Sequence, residues 1–133
     1  MRNADGWEDK EFLKTSTLKK LKGELFMETT NNEKMAFELI LHAGNAKSKA
    51  MEAIYASREK DFEEAEKDLE EAEKELNEAH KCQTAMLVGE ANGEKLTMDV
   101  LLVHALDHLS MATVTLELSE ELVLQRKEMK GEN

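Results

Sequence analysis

The imidazoles of His104 and His108 flank the carboxylate of Asp107 inside an otherwise apolar run, Leu101-Leu-Val-His-Ala-Leu-Asp-His-Leu109. Burying such polar groups costs free energy unless something uses them. At spacings of three and one on a helix, the trio projects from one side. Three uses fit this pattern. The groups form an internal hydrogen-bond cluster, share a metal ion through His and Asp one turn apart, or present a nucleophilic histidine oriented by its neighbours. The only other histidines are His42 and His80, and the chain has no His-Glu-x-x-His and no paired Glu-x-x-His. A zinc hydrolase and a di-iron bundle therefore lack ligands. His80 lies close to the polar seam residue Gln83 and could approach the trio from a neighbouring helix.

Helices are the elements that must hold these groups. Proline is absent, glycine occurs six times, and Glu, Lys, Ala, Leu and Met dominate the 133 residues. That composition excludes a β-sandwich, a barrel or a Rossmann unit. Three periodic segments follow an extension over residues 1–31, expected to be irregular or a short helix. Within it, Lys22-Gly23-Glu24 can be encoded by a purine-rich ribosome-binding sequence, which raises Met27 as an alternative translation start in place of residues 1–26. The first helix should begin near Asn32, with Phe37, Ile40, Leu41, Gly44, Ser48, Met51, Ile54 and Tyr55 as its buried stripe. Gly44, on that stripe, would admit a close backbone or ligand. The second should open at Asp61, its carboxylate capping the amide of Glu64, and run to about Val88, before Gly89 and Asn92-Gly93. Phe62, Ala65, Leu69, Ala72, Leu76, Ala79, Gln83 and Met86 mark a narrow seam suited to two close neighbours. Glu63–Lys67 and Glu70–Lys74 should support a solvated acidic face.

The third helix, from about Thr97 to Lys130, has too much apolar surface for one pair of neighbours. Val100, Val103, Met111, Val114, Leu118 and Leu122 form one stripe, and Leu101, Leu109, Ala112, Leu116 and Val123 fill the adjoining arc. A helix apolar around more than half its circumference should be shared with another subunit. The expected architecture is all-α, a three-helix up-down-up antiparallel bundle over residues 32–133, oligomerising through the third helix.

Charge narrows the partners. Twenty-nine acidic against 18 basic residues give a net charge of −11, which repels nucleic-acid backbones and anionic lipid. No run approaches the roughly 20 apolar residues of a membrane span. The single cysteine, Cys82, fits a reducing, cytoplasmic compartment.

Four stretches carry a family resemblance: His42-Ala-Gly-Asn-Ala-Lys-Ser-Lys, Asp61-Phe62, Asn77-Glu-Ala-His-Lys-Cys-Gln-Thr84 and Leu101–Leu109. Together, across about residues 36 to 126, the chain resembles the lactose/cellobiose-specific IIA component of the bacterial phosphoenolpyruvate-dependent sugar phosphotransferase system. The resemblance implies a trimer of three-helix subunits and a phosphoryl carrier. His104 would accept the group on Nε2 from the histidine-containing phosphocarrier protein and pass it to a cysteine of the IIB component. His108 would hydrogen-bond the phosphoryl oxygens, with His80 and Gln83 as weaker candidates for a supporting role. Asp107 would meet its copies on the trimer axis and hold a magnesium-type ion (Mg2+). The sugar would be a lactose- or cellobiose-type disaccharide, bound elsewhere in the system. One departure stands out: Leu106 occupies the place where the family usually has Gln. An amide there could donate to the phosphohistidine and leucine cannot, so the resemblance also admits a non-catalytic helical interaction or regulatory module.

Overall fold

A computed structural model describes residues 31–131. Expectations for residues 1–30, including the alternative start, lie outside the described residues. Three helices follow in order: α1 (Asn31–Arg58), α2 (Phe62–Ala91) and α3 (Val100–Gly131). No strand occurs among the described residues.

Cross-helix pairs define the topology. Glu38 meets Cys82, His42 meets Glu75, and Lys49 meets Asp68 and Glu71, so α1 and α2 run antiparallel. Lys127 of α3 pairs with Glu66 near the start of α2, and Arg126 reaches Ile54 and Ser57 near the end of α1. The bundle is therefore up-down-up, as the periodicity predicts.

The helix boundaries follow from capping. Asp61 accepts from the Glu64 amide at 3.1 Å, which fixes the start of α2. The first helix ends in a Schellman turn: the Asp61 amide donates to the Ala56 carbonyl at 3.0 Å and the Lys60 amide to Ser57 at 3.1 Å. Lys60 closes that turn at a φ of 63°, in the left-handed region where glycine is cheaper. The third helix begins at Val100 rather than near Thr97, because the Asp99 carboxylate takes the Leu102 amide at 2.9 Å. The second outlasts the expected Val88 by three residues and stops at Asn92-Gly93, where Gly93 has a φ of 91°.

The inward face of α1 departs from the expected stripe. Ala36, Leu39, Ala43, Ala46, Ala50, Ala53 and Ser57 are buried, while Phe37, Leu41 and Tyr55 are each about half exposed. Small side chains at alternating three- and four-residue spacing let the α1 backbone come close to its neighbours, and the bulky stripe turns outward. A Cβ on Gly44 would meet nothing within 4 Å, so the close approach expected there is absent within one chain.

The α2 seam is buried at Ala65, Ala72, Leu76, Ala79 and Met86, with Asp68 buried among them. Burial pushes the Asp68 carboxyl up, against the opposing pull of the Lys49 ammonium. Lys49 also pairs with Glu52 and Glu71, and these carboxylates raise its pKa above the ordinary lysine value. Neither Glu63–Lys67 nor Glu70–Lys74 closes. The lysines that pair across helices are Lys49 of α1 and Lys127 of α3, and a solvated pair four apart contributes only a few tenths of a kcal/mol.

Candidate functional site

The third helix buries Leu102, Ala105, Leu109, Ala112, Leu116, Ser119 and Val123 against α1 and α2. Its opposite flank exposes Val100, Val103, Met111, Val114 and Leu118, the last at 64%. These residues, with Asp107 between Val103 and Met111, lie at three- and four-residue intervals and form one continuous outward stripe. The surplus apolar surface expected of this helix is therefore real.

His104 and His108 stand beside that stripe near the N-terminal end of α3. One helical turn separates them, which brings their rings together edge to face, with centroids 4.4 Å apart and planes at 85°. Their Nε2 atoms are 3.0 Å apart. A contact that short requires one Nε2 to carry a proton and the other to offer its lone pair. His104 is exposed and His108 half-buried, so a visiting macromolecule can reach the first ring while packing steadies the second.

Asp107 is exposed, with no hydrogen bond or ion pair among the described residues. Among those residues no group of three or more His, Cys, Asp or Glu could hold a metal ion. One chain thus supplies a single carboxylate to any ion at this position. An oxygen donor on an apolar stripe suits a hard cation only when further copies complete the set.

His80 is exposed and Gln83 half-buried, and no hydrogen bond, ion pair or ring contact joins either to His104. His42 instead bonds Glu75 through Nδ1 at 2.7 Å, linking α1 to α2. Cys82 faces Glu38 at 3.9 Å; burial and the neighbouring Glu38 and Glu78 push its thiol up, so it stays protonated and a poor nucleophile. Leu106 is half-buried against the main core cluster, which explains an apolar residue between polar neighbours. Asp68 escaped the sequence reading, although its spacing from Ala65 and Ala72 puts it on the buried seam.

Residues 34–127 match the family described as the lactose/cellobiose-specific IIA subunit of the phosphotransferase system (PTS). The chain belongs to this family. It is 46% identical over 84 residues to the lichenan-specific phosphotransferase enzyme IIA component of Bacillus subtilis (strain 168), covering 63% of this chain and 76% of that one. It is 40% identical over 92 residues to the cellobiose-specific EIIA component of Lactococcus lactis subsp. lactis (strain IL1403), covering 69% and 79%. The fold matches the crystal structure of the PTS cellobiose-specific enzyme IIA from Bacillus anthracis with a TM-score of 0.75 and 39% identity, over 78% of this chain and 95% of that one. As a IIA-family chain it is a phosphotransferase component of sugar uptake, and no helix among the described residues is long and apolar enough to cross a membrane.

Proposed function

We propose that this IIA chain carries a phosphoryl group on Nε2 of His104, taken from the histidine-containing phosphocarrier protein and handed to a cysteine of its IIB component, for uptake of a lactose- or cellobiose-type disaccharide. The observation that carries the reading is the exposed His104 ring meeting His108 through Nε2. For attack, His104 must hold its proton on Nδ1 and offer the Nε2 lone pair. In that tautomer the 3.0 Å contact makes His108 the donor. The His108 ring must swing aside as the N–P bond of the donor breaks and the new one forms. Its N–H then lies one turn away, within reach of a phosphoryl oxygen on His104. Handing the group to a thiolate reverses these movements.

The apolar stripe of α3 supports assembly as a homotrimer through that helix, with His104 close to the subunit boundaries. Three Asp107 carboxylates would then converge. Unscreened, they would repel strongly, so the residues fit one shared Mg2+ that neutralises their charge. All of this belongs in the cytoplasm, where the phosphoryl donor is made.

Incubation with phosphoenolpyruvate and the general phosphotransferase components tests the proposal. The expected result is an acid-labile mass gain of one phosphate per chain, lost in His104→Ala. In His108→Ala it should form about 10- to 100-fold more slowly, the worth of one charge-assisted hydrogen bond. An unmodified chain, or an adduct that survives His104→Ala, refutes it.

A further inference from the structure

The far end of the bundle carries a second feature that the carrier reading does not use. Where α1 ends, α2 begins and α3 finishes, a cavity of about 400 Å³ is lined by Arg58, Lys60, Arg126 and Lys130. No carboxylate lines it, in a chain whose net charge is −11. Phe62 and Met129 form its apolar wall. The 22 residue steps of α3 from His104 to Arg126 span about 33 Å, so this is a separate site.

Its parts are held in place. The Arg126 Nη1 donates to the Ile54 carbonyl at 2.8 Å and to the buried Ser57 hydroxyl at 2.7 Å. That clamps one corner of the guanidinium and leaves its remaining N–H donors unengaged among the described residues. The Lys130 ammonium lies 5.2 Å above the Phe62 ring, which fixes a positive charge over an apolar plate. Lys60 holds a left-handed backbone in which glycine would be cheaper, so its side chain is placed there at a conformational cost. Like charges gathered around a cavity repel one another unless an anion joins them.

We infer that this cavity binds a small organic phosphate, with the phosphate among the four cations and an apolar body against Phe62 and Met129. Guanidinium and ammonium groups match phosphate oxygens, and the apolar wall favours an ester over the inorganic ion. The inference does not depend on phosphorylation of His104.

Titrating the full chain with phenyl phosphate at low salt, followed by amide NMR, tests it. Saturable shifts are expected at residues 57–62 and 126–130, with inorganic phosphate binding more weakly. Lys60→Gly removes one cation without backbone strain and should weaken phenyl phosphate about fivefold, the factor of one solvent-facing ion pair. A titration that does not saturate, shifts confined to other residues, or equal affinity for inorganic phosphate would overturn the inference. So would a Lys60→Gly variant that melts no lower than the parent and binds undiminished.

Discussion

Leu106→Gln separates packing from phosphoryl transfer at the position where the resemblance would place an amide. Leu106 is half-buried against the core cluster. Full burial of a leucine contributes roughly 1.5–3 kcal/mol, so the half that is lost should cost about 1 kcal/mol. Glutamine and leucine have nearly equal helix propensity, which adds nothing to that sum. For a domain of this size, 1 kcal/mol lowers the melting midpoint by about 4–8 °C. Circular-dichroism melts at two protein concentrations, to expose any contribution from association, read this directly. The phosphorylation rate should not follow. Residues two apart on a helix lie about 200° apart around its axis, and a glutamine at 106 would face the core rather than the His104 ring. Timed intact-mass measurement should find parent and variant rates within about twofold, less than one hydrogen bond would change them. A variant that melts no lower and transfers phosphate tenfold faster would refute this reasoning, because it would put the amide on the phosphohistidine.

Ala43→Leu should destabilise the bundle by about 1–3 kcal/mol, since the added carbons enter a crossing with no exposed surface; an unchanged urea midpoint would contradict the packing described. Lys60→Gly should gain about 0.5–1 kcal/mol, a left-handed penalty of about 1–2 kcal/mol offset by the freer unfolded glycine, and thermal melts check it. Burial, then Glu73, Glu117 and Glu121, push the Glu120 carboxyl up. A folded pKa above the unfolded one adds stability below the ordinary carboxylate range that is lost as pH rises through the folded value. Glu120→Gln should therefore stabilise at pH 7 and gain less at pH 4, as paired melts will register. Under the Mg2+ proposal, a chelator should lower the midpoint of the parent and leave Asp107→Asn unmoved, by an amount that follows the logarithm of the free ion concentration.

The sequence exposes much of this arrangement because local chemistry and tertiary contact agree. The Asp61 cap, the α2 seam and the two-faced α3 all arise from spacing that the packing then uses. The inward face of the first helix is hidden in the sequence because Phe37, Leu41 and Tyr55 dominate any hydropathy pattern, while the alanines beside them contribute little to it. Their regular spacing was equally visible, but only the presence of close neighbours decides which face turns inward. Thr97 and Asp99 both suit a helix start, and the contact from the Asp99 side chain to Leu102 selects one. His104, Asp107 and His108 stood out as polar residues in an apolar run. The edge-on meeting of the two imidazoles depends on rotamers, which spacing does not encode.

The alanine-lined side of α1 restricts what descent can do with this helix. At Ala43, Ala46, Ala50 and Ala53, every larger side chain would wedge the helices apart, and glycine, the one smaller choice, would weaken the helix by about 1 kcal/mol. Drift is blocked in both directions along this buried face. The aromatic and aliphatic groups on its outer side have no such ceiling within the chain, so divergence among descendants should collect there first.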